Sequence, residues 1–157
     1  MLDGSGVRVS FPLACSARME ADHNAENSMN EAKTIGILVD DMFFASKING
    51  AAETAGSKIV RLKSREQLEQ LATAPPSLVI IDLNSDRIDP LEAIRFLKSR
   101  PELSAVPVVS FVSHVQTDLI RTAQAAGCDY VVARSAFSQF LNEIVSGDLS
   151  SLRRTLA

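Results

Sequence analysis

The sequence predicts a doubly wound α/β domain of five parallel strands in the order 2-1-3-4-5, with helices on both faces. Three observations predict it. Strand and helix patterns alternate five times between Thr34 and Val145. The strands are near-continuous apolar runs, as expected when both sides of a sheet are covered. The joins are short, and right-handed crossovers then distribute the helices over both faces. The chain has 157 residues, 46% hydrophobic and 22% charged, enough for one substantial core and little more, so one domain is expected.

The first element is the run Thr34 to Val39, ending in Asp40-Asp41. Phe43, Phe44, Ile48, Ala51, Ala52 and Ala55 follow at helical spacing, with Gly56 as the stop. Lys58 to Leu62 is the second strand. Ser64 and Gln67 form a capping box for a helix that runs through Leu68 and Leu71 to the break at Pro75-Pro76. Leu78-Val79-Ile80-Ile81 is the third strand, closed by Asp82. Asp89-Pro90-Leu91-Glu92 then sets an N-cap acid, an N1 proline and an N3 glutamate in the order a helix start prefers, with Pro101 beyond the end. The fourth strand is Val106 to Val112. Ser113 and Gln116 read as a second capping box, and Gly127 closes that helix. Asp129 to Val132 is the fifth strand, and Ser135 is expected to cap a last helix holding Phe137, Phe140, Leu141, Ile144 and Val145. Residues 1–32 show no sustained period and are expected to be a disordered tail, with Met29 a second candidate start of translation beside Met1. Residues 33–146 form the predicted domain, and 147–157 a short C-terminal tail.

Composition removes several functions. A net charge of −3, evenly spread, argues against a nucleic-acid surface. No apolar stretch approaches the ~20 residues that span a bilayer, and Phe11-Pro12-Leu13-Ala14 is too short and proline-broken for a signal-peptide core. Cys15 and Cys128 lack metal-ligand spacing and read as reduced thiols, so a soluble cytoplasmic protein is expected. A Gly-rich phosphate loop, a G-x-S-x-G elbow and a Cys/His dyad are all missing, which counts against nucleotide-binding, hydrolase and thiol chemistry.

What remains is a set of carboxylates. Open α/β sheets place their chemistry at the C-terminal ends of the strands, at the switch point of strand order. In the order 2-1-3-4-5 that point lies between the first and third strands, so Asp40, Asp41 and Asp82 converge there. Each also has a plainer reading. Asp41 suits an N-cap, Ser113 a cap, and His114 an exposed surface residue at a helix start. Phe43 and Phe44 are adjacent, so one packs inward and the other is left at the pocket rim.

From Thr34 to Val145 the chain resembles the receiver domain of bacterial two-component response regulators, which has the flavodoxin-like strand order. The resemblance implies that Asp82 accepts phosphate from a histidine kinase or phosphotransfer protein. It also implies Mg²⁺ held by Asp40, Asp41, Asp82 and the backbone carbonyl of Asn84. Asp89-Pro90-Leu91-Glu92 resembles the family's third-helix start. Arg134-Ser135 resembles its Lys-Pro pair, which puts Arg134 on the phosphoryl oxygens. Counting from Pro107 places the family's switch hydroxyl at Val112, and a slip of one residue places it at Ser113. Matching Tyr130 to the family's switch aromatic would move the basic position from Arg134 to Ala133. Mg²⁺ in such a pocket offsets the repulsion between a carboxylate nucleophile and a phosphoryl dianion.

Two functional classes stand. One is a single-domain phosphoreceiver, a phosphoacceptor with self-catalysed transfer rather than an enzyme, signalling to a separate output protein through the last two strand–helix units. The other is a pseudo-receiver, a phosphorylation-independent interaction module.

Overall fold

The computed structural model describes residues 33–113 and 116–156. The readings made for residues 1–32, Cys15 and Met29 among them, and for His114 lie outside this range. Five strands, β1 (Thr34–Leu38), β2 (Lys58–Arg61), β3 (Leu78–Asp82), β4 (Val108–Val112) and β5 (Tyr130–Ala133), form one sheet in the order β2-β1-β3-β4-β5. Every adjacent pair is parallel. The helices are α1 (Met42–Thr54), α2 (Arg65–Gln70), α3 (Pro90–Ser99), α4 (Thr117–Ala125), α5 (Arg134–Gln139), α6 (Leu141–Ser146) and α7 (Ser150–Leu156).

Side chains alternate between the faces of a strand, and the core divides accordingly. Ile35, Ile37, Leu78, Ile80, Val109, Phe111, Tyr130 and Val132 pack on one face with Phe44 and Ile48 of α1, Phe137 of α5, Ile144 of α6 and Leu152 of α7. Leu38, Val79, Ile81, Val108, Val112 and Val131 pack on the other with Leu68 of α2, Ile94 and Leu97 of α3 and Ala123 of α4. Most of these residues are almost wholly withdrawn from solvent. Burying a side chain of this size stabilises by roughly 1.5–3 kcal/mol against leaving it exposed, which is what holds the helices to the sheet.

Several boundaries differ from the sequence reading. β4 starts at Val108 rather than Val106, because Pro107 has no N–H for the ladder; its carbonyl accepts from Val79 instead. Ser64 caps α2 as expected, but Gln67 returns its Oε1 to the N–H of Lys63, one residue ahead of the cap. The Ser113 capping box does not form. α4 begins at Thr117 behind Gln116 with no side-chain cap, since Gln116 Oε1 and the Ser113 N–H are both engaged by the side chain of Asn84. Ser135 is not a cap either. It lies inside α5, which starts at Arg134 behind Ala133. The single last helix is two, α5 and α6, separated by Phe140 at φ −104° and ψ 16°. The segment read as a tail after Gly147 carries α7, whose Leu152 is fully buried.

Candidate functional site

At the C-terminal lip of the sheet, β1 delivers Asp40 and Asp41, β3 delivers Asp82, and the join of β5 to α5 delivers Arg134. Asp82 is the last residue of β3, pairs in register with Phe111, and is 4% exposed. Its Oδ1 accepts the N–H of Asn84 at 2.9 Å, and its Oδ2 lies 3.6 Å from the Arg134 guanidinium. Burial pushes the Asp82 carboxyl above its ordinary range, and the charges of Asp40 and Asp41 push the same way. The Asn84 N–H and Arg134 offset part of this.

Asp41 does what its cap position predicts. Oδ1 accepts from Phe43 N at 2.9 Å and Phe44 N at 3.1 Å, which leaves Oδ2 directed to Arg134 at 3.6 Å. Asp40 reaches instead into the loop after β3. Its Oδ2 accepts from the Ser85 hydroxyl at 2.8 Å and from the N–H groups of Asp86 and Arg87 at 2.9 and 3.2 Å, and Oδ1 lies 3.4 Å from the Arg87 guanidinium. Partial burial works to raise the Asp40 pKa, but these donors and the Arg87 charge outweigh it and hold the carboxyl below the usual range.

Arg134 is carried on aromatic faces. Its guanidinium carbon sits 4.7 Å from the centroid of Phe44 and 5.6 Å from that of Phe111, two rings that themselves pack 4.8 Å apart and share Phe137 as a neighbour. Its Nε is buried without a hydrogen-bond partner. Arg134 is thus the residue of this join whose side chain meets Asp41 and Asp82. Tyr130, the marker for the alternative register through Ala133, lies at the far end of β5, with its hydroxyl accepting from Arg153 Nε at 3.1 Å.

The same alternation of faces separates Val112 from Ser113. Asp82 continues the row of Leu78 and Ile80, whereas Val112 belongs to the opposite core and is 1% exposed. Ser113 follows on the Asp82 side, exposed, its N–H donating to Asn84 Oδ1 at 2.9 Å. Asn84 therefore ties the loop after β3 to the start of α4 through its side chain. The adjacent phenylalanines divide as expected: Phe44 is core, and Phe43 is 72% exposed beside an equally open Met42.

The donor set was read from sequence as a Mg²⁺ site. Among the described residues no three His, Cys, Asp or Glu side chains are grouped so as to hold a metal ion. Asp41 spends one oxygen as a helix cap, and Asp40 turns one oxygen to three donors. The cation shared by Asp41 and Asp82 is a guanidinium belonging to the chain. In this arrangement the carboxylates of Asp40, Asp41 and Asp82 do not fit the ion. Ser85 and Arg87, which hold Asp40, escaped the sequence reading; the only available signal was a polar loop between β3 and Asp89.

Cys128 is a free, buried thiol 3.1 Å from the Ser110 hydroxyl, and burial raises its pKa. No described helix is long and apolar enough to cross a membrane.

No family model matches the sequence, and no curated protein matches it. Solved structures do. The phosphorylated cyanobacterial phytochrome response regulator RcpA matches with TM-score 0.64 at 22% identity over 80% of this chain and 96% of its own. The chemotaxis response regulator CheY4 of Vibrio cholerae matches with TM-score 0.65 at 13% identity over 76% and 100%. The Mn²⁺-bound form of response regulator Rcp1 matches with TM-score 0.61 at 18% identity over 76% and 94%. The fold is that of a response-regulator receiver domain.

Proposed function

We propose that this receiver fold serves as a signalling receiver in which Asp82 accepts a phosphoryl group. The observation that carries the reading is the meeting of Asp82, at the C-terminal end of β3, with Arg134 and Asp41 at the switch point of the sheet. Among similar structures RcpA is a phosphorylated protein, which supports the same chemistry here. In the transfer, one Asp82 oxygen forms the bond to phosphorus while the P–N bond to the donor's phosphohistidine, protonated on its other ring nitrogen, breaks and the imidazole leaves neutral with that proton. The product is an aspartyl phosphate. Arg134 offers N–H donors to the phosphoryl oxygens.

On this reading the donor is a histidine kinase or phosphotransfer protein, and the output is a separate protein that meets the β4–α4 and β5–α5 units. The chain is a phosphoacceptor rather than an enzyme acting on a separate substrate, and it works in the cytoplasm. A second reading, the phosphorylation-independent interaction module, is favoured by the near-complete burial of Asp82 beside Arg134.

Incubation with acetyl phosphate or phosphoramidate followed by intact mass measurement separates the two. A gain of one phosphoryl group in the wild type, lost in Asp82→Asn, supports the phosphoacceptor. No gain at saturating donor, with and without Mg²⁺, leaves the interaction module.

A further inference from the structure

We propose that Arg134 is the resident cation of the acidic pocket, a specificity-determining residue whose guanidinium takes the place a divalent ion would have between Asp41 and Asp82. The inference rests on reading this pocket as the receiver's input site.

Three observations converge on it. One guanidinium nitrogen lies 3.6 Å from a carboxylate oxygen of Asp41 and 3.6 Å from one of Asp82, so a single group faces both acids. The rings of Phe44 and Phe111 lie 4.7 and 5.6 Å from the guanidinium carbon, and both are core residues that cannot move without disturbing α1 and β4. The third acid, Asp40, is held by Ser85, Asp86 and Arg87 of the loop after β3, with the Arg87 guanidinium 3.4 Å from its second oxygen. Two arginines therefore face three carboxylates, and the charge that would attract a hard dication is largely met within the chain. A lysine at position 134 would present a single compact ammonium. Arginine's planar guanidinium stacks on aromatic faces while one of its nitrogens meets both acids. A metal would have to displace it from both the acids and the rings.

The test uses the full chain. Mn²⁺ is titrated while its free-ion electron paramagnetic resonance signal is followed, and melting temperature is recorded with and without millimolar Mg²⁺, in wild type, Arg134→Ala and Arg134→Met. The methionine keeps a long stem for the two rings and removes the charge, so it decides the outcome if the alanine variant does not fold. The expected result is weak, unsaturated Mn²⁺ binding and an unchanged melting temperature in the wild type. Binding should become tighter by about tenfold or more once the guanidinium is gone, and should be lost again when Asp41→Asn is added. Saturable wild-type binding that neither Arg134 variant strengthens overturns the proposal.

Phosphoryl uptake from acetyl phosphate in excess chelator keeps this separate from the functional reading. Uptake that requires Mg²⁺ overturns the resident-cation proposal and leaves the phosphoacceptor standing. No uptake under any condition, with metal binding gained in Arg134→Met, upholds the resident cation and removes the phosphoacceptor.

Discussion

Asp82 combines nearly full burial with a negative charge, and at the scale of one residue this has a defined consequence for stability. Its folded-state pKa is raised, chiefly by burial. The folded protein therefore binds this proton more tightly than the unfolded chain. Stability from this group is greatest where the carboxyl is protonated and falls as pH rises from the ordinary carboxylate range through the raised value. Above the raised value the penalty is fully present, so Asp82→Asn should there melt higher than the wild type in metal-free buffer, while its side-chain oxygen still accepts the Asn84 N–H. The gap between the two melting temperatures should close as pH is lowered into the acid range, where Asp82 is protonated in both states. A variant that melts lower than wild type above the raised value would mean that the contact with Arg134 outweighs the cost of burial. Asp40 has the opposite sign: its lowered pKa contributes stability above the ordinary carboxylate range, lost as pH falls.

At the scale of elements, the start of β4 depends on a side chain from the residue just ahead of β5. Asp129 Oδ2 accepts the Val108 N–H at 2.8 Å and the Lys98 ammonium at 2.6 Å, and Lys98 also reaches the carbonyls of Ser104 and Val106. One carboxylate thus joins the end of α3, the loop before β4 and two strands. Gly127 is part of the same junction. It has φ +107°, and a Cβ there would stand 3.0 Å from Lys98 Cγ. Asp129→Ala leaves a partly buried lysine and a strand N–H without their partner, and should cost about 2–3 kcal/mol, read as a lower urea midpoint at unchanged slope. α7 makes a second such case. Its Leu152 is fully buried and its Arg153 Nε donates to the Tyr130 hydroxyl. Ending the chain after Gly147 should therefore cost roughly 3 kcal/mol or more and expose Tyr130. An unchanged stability would show that α7 contributes nothing to the face it covers.

For the molecule as a whole, strand order and class were legible because local signals repeat five times without contradiction. Apolar runs of four or five residues ended by a polar turn, helix starts such as Asp89-Pro90 and stops such as Gly56 and Gly127 are each governed by neighbours within a few residues. Asp89 accepts from the N–H groups of Leu91 and Glu92, and both glycines have positive φ, as their positions demand. The meeting of Asp40, Asp41 and Asp82 at one lip follows from strand order alone. The partners of those acids do not. Ser113 has a capping-box sequence, yet Asn84, 29 residues away, takes its N–H; Asp40 is set by Ser85, Asp86 and Arg87, 45 to 47 residues on. The faces of Val112 and Ser113 depend on the register of β4 against β3, and the seat of Arg134 on rings from α1 and β4. Local propensity determines which backbone conformation each segment prefers, and so the class and the order of elements. Which cation meets a carboxylate is a competition among groups distant in sequence. It is decided only when packing brings them within a few ångströms and removes the water that would otherwise screen them.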